Sequence, residues 1–471
     1  MSRFIRKLVI TYHLNWSSTV TLFSGIALIG FITSPTVILI FVLGAVSTIF
    51  PEIRRLSLFA ACLVNIFLMN SYLRSFDIGP LHLVPFFIFN SAFILLFDKF
   101  AALRRHYFLL MFALIMIIGL IQGSLGKLGI SNRDAILAST PIVANIWAYM
   151  NYIKLPIRSL TFIERVVWLR PFWYRWVIPY GSNREISDAI DGPVTVNVAD
   201  ITRALRILAL ITIGMFFFEN LVFEKNEVFP RVDWIPHLLN YPLVYRDGYA
   251  AAIEAAGTAT QLQRSLYYLA VQSAATVQFL FIIALYSTAA ITTARFAGFK
   301  IDLHVRDFWN AKNFGDFYFR TNHHFSLLIR NHLLPKLSRI KVPLLWDSMR
   351  QALVVAAGVF VVSSLSMYVG RGLFLGGNIH FEDRLATYFS NYHYSTLTAL
   401  VCAVHVFIRK KSLAPSGRVL ALIWRVGRPC LYFLVFQFTL IFGFHFLKTT
   451  PETKLQFAAD ILKLFQFDTY F

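Results

Sequence analysis

Acidic side chains are scarce in this chain: 24 Asp and Glu stand against 44 Lys and Arg, and charge of either sign occupies only 14% of 471 positions. An ordinary soluble domain carries about 25% charge, because its water-facing surface stays large even when the core is large. The shortage argues against a soluble enzyme. Cysteine is also scarce. Cys62, Cys402 and Cys430 are far apart, which argues against a disulfide framework and against a zinc site. Cys402 and Cys430 lie in apolar runs and read as buried free thiols. There is no Ser-containing elbow, clustered carboxylate pair, phosphate-cradling glycine loop or Walker motif. An aromatic-interleaved basic domain is missing too, so nucleic acid is not an expected partner.

What the chain has is apolar length. Hydrophobic residues make up 57%, the mean hydropathy is +0.62, and there are 47 Phe and 20 Tyr. The net charge of +20 then reads as attraction to anionic lipid headgroups. Candidate spans recur at Thr19–Phe50 (one span with a re-entrant piece, or two short ones broken near Pro35), Leu56–Leu73, Leu81–Leu96, Tyr107–Gln122 and Ile136–Tyr152. They resume at Ile207–Phe223, Leu266–Phe296, Ala352–Val369, Ser395–Ile408 and Val426–Phe446. The expectation is an all-α, polytopic transmembrane helical bundle of about ten spans, with the lipid bilayer as its solvent. Arg3, Arg6 and Lys7 precede the first apolar stretch, without a small-x-small cleavage site, and predict a retained first span with a cytoplasmic N-terminus.

Three regions follow: N-terminal transmembrane helices over 1–152, an interfacial amphipathic segment over 153–205, and a transmembrane core over 206–471. In the middle region Trp168, Trp173, Tyr174 and Trp176 alternate with Arg165, Arg170 and Arg175, a pattern for helices lying in the interface or lining a cavity lip. In the stretch from Leu266 to Phe296, small and hydroxylated residues predict close packing inside the bundle.

Residues 297–337, AGFKIDLHVRDFWNAKNFGDFYFRTNHHFSLLIRNHLLPKL, concentrate polar groups in a chain that otherwise has few. The spacing predicts an embedded polar helix from Phe317 to Leu334, with Phe317, Arg320, His324 and Leu327 near one face. Desolvating such groups without partners is expensive, so they are candidates for function. The bland alternative is a cytoplasmic loop with ordinary surface histidines. Downstream, His380 lies beside Glu382 and Asp383, His393 stands at the entrance of an apolar helix, and His405 lies near that helix's far end. An imidazole can deprotonate a hydroxyl near neutral pH. A side-chain amide such as that of Asn322 can donate to a carbonyl oxygen as charge develops on it. That pairing, without a protein nucleophile, suits direct acyl transfer.

At this passage the chain resembles the membrane-bound O-acyltransferases, especially the bacterial branch that acylates teichoic acid and exopolysaccharides. The resemblance spans residues 297–409. Ala297-Gly298-Phe299-Lys300 matches that branch's lead-in to a polar helix of the form F-W-x-R-W-H-x-x-L-S-x-W-(L/F)-R-D-Y. Phe317, Tyr318, Arg320 and Ser326 fall on its Phe, Trp, Arg and Ser, and Ile329-Arg330-Asn331 fall on its hydrophobic-Arg-Asp triplet. Asn322 falls where family members carry His or Asn. The family's Gly-Leu-Trp-His-Gly signature is absent: Ser366 and Met367, in VVSSLSMYVGRG, stand at its place.

Either His393 takes over as base, after an inserted segment, with His405 matching a second family histidine, or the base is lost. The resemblance implies acyl transfer to a hydroxyl of an envelope or exported glycan. The candidate catalytic residues are His393, Asn322 and His323, the candidate substrate-binding residues Arg320, Arg330, Asn331 and His324, and the secondary candidates His380 and His405. It further implies a bacterial inner-membrane location, an activated acyl thioester as donor, no permanently bound cofactor or metal, and a periplasmic partner protein. The alternative is a non-enzymatic membrane subunit or transport component of glycan assembly or export.

Overall fold

The computed structural model describes residues 10–11, 16–32, 37–74, 83–100, 103, 149, 152, 159–168, 190, 196–218, 277, 280–281, 283–311, 314–321, 323–328 and 331, and scattered positions between 349 and 435. Among these residues all regular structure is helical, with no strand. The helices are α1 (Trp16–Ile32), α2 (Val37–Ile49), α3 (Arg54–Arg74), α4 (Leu83–Lys99), α5 (Phe162–Trp168), α6 (Val198–Phe218), α7 (283–296), α8 (Phe314–Thr321) and α9 (His323–Leu328). The expected stretch Thr19–Phe50 is thus two helices. The expected spans at Leu56–Leu73, Leu81–Leu96 and Ile207–Phe223 fall largely within α3, α4 and α6. The expected segment Tyr107–Gln122 lies outside the described residues, and those from residue 352 onward are described only at isolated positions.

Helix α6 starts at Val198 and runs on past position 205, so the last residues of the expected interfacial segment and the first of the following region share one helix. Its start is set by Asn197, whose side-chain oxygen accepts from the Asp200 N–H at 3.3 Å while its amide donates to the Asp200 carboxylate at 2.8 Å. Cys430, expected to be buried in its apolar run, is exposed; Cys62 is buried. An apolar helical run has an outward side as well as an inward one, and Cys430 is on the outward side.

Helix α7 is the buried axis of the described helices. Ala284, Leu285, Ala289, Ala290, Ile291 and Ala294 are buried, and so are Ser287, Thr288, Thr292 and Thr293. Three of these hydroxyls bond back within the helix, Ser287 donating to the Ala284 carbonyl at 3.2 Å, Thr292 to that of Thr288 at 2.6 Å and Thr293 to that of Ala289 at 2.9 Å. Small residues let neighbouring backbones come close, and back-bonded hydroxyls carry no unmet polar group inward. Elsewhere the same device is a glycine: a Cβ at Gly25 of α1 would lie 2.5 Å from a Leu205 methyl of α6.

Helix α7 ends in a Schellman turn. Gly298 takes φ of 87°, the Phe299 N–H donates to Ala294 O at 3.0 Å, and the Gly298 N–H donates to Arg295 O at 3.0 Å. Into this turn projects Arg54, which is 3% exposed. Its guanidinium donates to Ala297 O at 3.0 Å and to the Ser47 carbonyl and hydroxyl at 3.3 Å, and lies 5.7 Å from the Phe299 ring centre. Two helix C-termini, α2 and α7, therefore share one cation, where the negative ends of their dipoles favour it.

Further contacts gather the charged groups at the same end. Arg295 donates to Asp200 O, at the start of α6, at 3.3 Å. Arg55 donates to Ser159 O, just before α5, at 3.1 Å. Arg165 of α5 pairs with Asp98 in the last turn of α4, and Tyr152 joins them with its hydroxyl 3.2 Å from Asp98. The start of α3, the end of α4, α5, the start of α6 and the end of α7 thus form one polar end. The sides of the helices are different: Val20, Phe23, Leu39, Val42, Ile88, Leu95, Leu210 and Ile213 face outward and exposed. Among the described residues no single helix is long and apolar enough to cross a membrane; α2 with residues 51–66 meets that test as a pair bent by 120°.

Replacing Arg54 with Ala leaves buried carbonyls short of a donor and is expected to cost about 2–4 kcal/mol. Arg55→Ala, on the exposed side of the same turn, is expected to cost less than about 1 kcal/mol. Thermal unfolding of the purified protein checks both; equal midpoints for the two variants would remove the special role of Arg54.

Candidate functional site

The Schellman turn releases a non-helical connector, residues 299–307, whose beginning is held by Arg295 Nε donating to Ile301 O at 2.7 Å. A 3-10 turn (Phe308–Asn310) follows, then α8 and α9. Helix α8 is anchored by Phe317, which is fully buried and packs edge-on against Phe308, with ring centres 5.8 Å apart. Thr321, also buried, returns its hydroxyl to Phe317 O at 3.1 Å.

The polar helix expected to run unbroken from Phe317 to Leu334 is divided. The connector explains the division, because it takes over backbone groups that a continuous helix would use. The Arg306 N–H donates to Arg320 O at 2.8 Å, and the His323 N–H donates to His304 O at 3.0 Å. A third tie joins Asp302 O to His324 Nε2 at 2.9 Å. A carbonyl only accepts, so His324 carries its proton on Nε2. Alternate connector residues 302, 304 and 306 therefore hold the chain on both sides of position 322.

The ties bring three imidazoles together. His304 and His324, each 1% exposed, stack with ring centres 5.6 Å apart and planes at 4°. His323 lies against His324 at 5.2 Å and 62°, with 14% of its side chain exposed. Its Nε2 is buried, makes no hydrogen bond among the described residues, and lies 3.7 Å from the Asp302 carboxylate. Asp302 also pairs with Arg306. The His323 imidazole and the Arg306 guanidinium hold the Asp302 carboxyl well below the usual carboxylate range, although burial opposes them. Burial pushes the His304 imidazole well below its ordinary value, and charge on His324 or His323 would push it further, so it is neutral at physiological pH.

Of the residues expected to form a site, His323 and His324 stand together here, while Arg320 does not share their burial. Its guanidinium donates to Asp316, one turn back on the same face, at 2.9 Å, and to the Asp307 carbonyl at 3.1 Å. Asn331 is helical and half-buried. His393, Asn322, Arg330, His380 and His405 lie outside the described residues. Asp302 and His304 are the members that the sequence reading missed. The signal available for them is the alternation of polar and apolar residues in Asp302-Leu303-His304-Val305-Arg306. Among the described residues no group of three His, Cys, Asp or Glu side chains is placed to hold a metal ion.

Chemically, a partly exposed imidazole beside an ionised carboxylate is a proton acceptor whose charged form has a counter-ion ready. No protein-family model matches the chain, and no curated protein matches it.

The buried neutral His304 fixes the sign of one pH effect. Its folded-state pKa is depressed, so the folded protein takes up its proton later than the unfolded chain does. Stability is fully present above the unfolded value of about 6.5 and is lost as pH falls below it. Asp302, also depressed, adds a loss only below about pH 4. Thermal midpoints between pH 7.5 and about 5 are expected to fall for the wild type and to fall less for His304→Phe; parallel curves would contradict the assignment.

Proposed function

We propose that the chain is a membrane-embedded O-acyltransferase that moves an acyl group from an activated thioester to a hydroxyl of an envelope or exported glycan. The observation that carries the reading is the imidazole cluster of His304, His323 and His324 with Asp302, immediately after the Ala297-Gly298-Phe299-Lys300 turn. Here the polar passage that resembles the acyltransferases stands at the charged end of helices whose sides are apolar. Support for the membrane setting comes from those outward apolar faces together with the low charge content.

In this reading His393 accepts the proton of the acceptor hydroxyl as its oxygen attacks the thioester carbonyl. Asn322 and His323 donate to the carbonyl oxygen as it becomes negative. Collapse of the intermediate breaks the carbon–sulfur bond, and the leaving thiolate takes the proton that His393 holds. A protein-lined tunnel keeps out water that would otherwise hydrolyse the donor. Arg320, whose guanidinium is engaged within the protein, and His324, whose Nε2 is held by the Asp302 carbonyl, serve the site by holding its shape. Arg330 and Asn331 meet phosphate or carboxylate on a substrate. The protein would lie in the bacterial inner membrane as a multi-pass chain, with the acceptor glycan and a periplasmic protein as partners and without a bound cofactor.

A second reading, a non-enzymatic membrane subunit or transport component of glycan assembly, is favoured by one observation: Ser366 and Met367 occupy the place of the family's histidine signature.

Acyl transfer by the reconstituted protein separates the two. His393→Ala is expected to lower kcat by about 10²–10⁴-fold, and Asn322→Ala by about 10²-fold or more. Unchanged turnover in His393→Ala would remove that residue from the chemistry. A wild-type protein that binds glycan and thioester but transfers nothing would establish the second reading.

A further inference from the structure

The outward face of α6 changes character along its length. Arg203, Arg206, Leu210, Ile213 and Phe216 follow one another at helical spacing on one stripe, and all five are exposed. The two arginines come first; Leu210, Ile213 and Phe216, at 68%, 52% and 56% exposure, continue the stripe. The change from cation to exposed apolar surface takes four residues, about 6 Å along the axis. A helix facing water all along keeps its outward stripe polar, so this step marks a change of medium. It stands at the polar end, where α4 repeats it with Val84, Ile88 and Leu95 leading to the exposed Lys99.

The charge balance at this step favours an anion. Asp200 accepts from the Asn197 side chain, and Asp302 is engaged by Arg306 and His323. Arg203 and Arg206 form no ion pair among the described residues. The half-buried Arg295 is disfavoured as a cation first by burial; the Asp200 and Asp302 carboxylates face it and offset Arg306 and Arg203. Among the described residues, the exposed heads of Arg203 and Arg206 are therefore the cations at this step without a carboxylate in ion-pair contact.

Resting on the membrane reading above, we propose that Arg203 and Arg206 bind the phosphate of an anionic phospholipid, whose acyl chains run along Leu210, Ile213 and Phe216. Arginine suits the task because its stem can lie on apolar surface while its planar head meets phosphate oxygens with paired donors. The occupant is a lipid, and not a free phosphate, because the apolar stripe begins within one turn of the cations.

The test uses the full chain, with lipid retained on it measured by native mass spectrometry after exchange against phosphatidylglycerol, phosphatidylcholine or inorganic phosphate. The wild type is expected to prefer phosphatidylglycerol and to ignore inorganic phosphate. Arg203→Gln and Arg206→Gln singly should each weaken that preference about fivefold, and the double variant more. Arg203→Lys/Arg206→Lys should retain most of it. Equal binding of both lipids by the wild type, or full preference in the glutamine variants, overturns the proposal. Vesicle flotation reads the underlying premise separately: a chain that floats with both lipids but shows no preference loses only the phosphate site. A chain that floats with neither loses the membrane reading as well.

Discussion

One buried cation organises the described structure. Arg54 comes just after the Pro51 turn, and its guanidinium reaches the C-terminal ends of α2 and α7 together. A guanidinium buried without partners would be far too costly to desolvate. Here helix carbonyls and the Phe299 ring receive it, so the two helix ends are held at one place and the α2–α3 turn is fixed against them. Everything downstream starts from that place: the Schellman turn at Gly298 sends the connector away from α7, and the connector sets the histidines.

The remainder of the architecture separates polar from apolar groups along the helices, in addition to the usual separation between inside and outside. Helix α7 carries alanines and threonines that close-pack and answer their own hydrogen bonds. The helices around it turn leucine, isoleucine and phenylalanine outward along their sides and gather arginine, aspartate and lysine at one end. In water such faces would favour association; in lipid they need no cover. The proposed membrane setting accounts for both features with one solvent change.

The end of α8 at Thr321 and the start of α9 at His323 have a local cause. A helix can give up intrahelical hydrogen bonds only when other partners take the freed groups. The connector supplies an N–H from Arg306 and a carbonyl from His304 to those groups, and the Asp302 carbonyl accepts from the His324 ring. The stacked pair His304–His324 is therefore made by chain segments that pass each other closely, and the neutral state of His304 follows from how completely the crossing buries it.

The sequence by itself determined that the described residues are helical, that α7 packs closely, and that residues 297–337 concentrate polar groups, because each follows from composition or from local spacing. It left a break near Pro35, where proline removes a donor, as one of two arrangements open for residues 19–50. It could not place Arg54 inward or bring Asp302 and His304 to His323 and His324, because these depend on groups far apart along α7's surroundings or on backbone bonds that residue identity does not encode. Arg320 shows the limit most clearly. Helical spacing put it near Phe317 and within reach of Asp316, but only the fold brought the Asp307 carbonyl to its guanidinium. Periodicity fixes which way a residue starts; the partners that tertiary structure brings within reach decide where a long charged side chain ends.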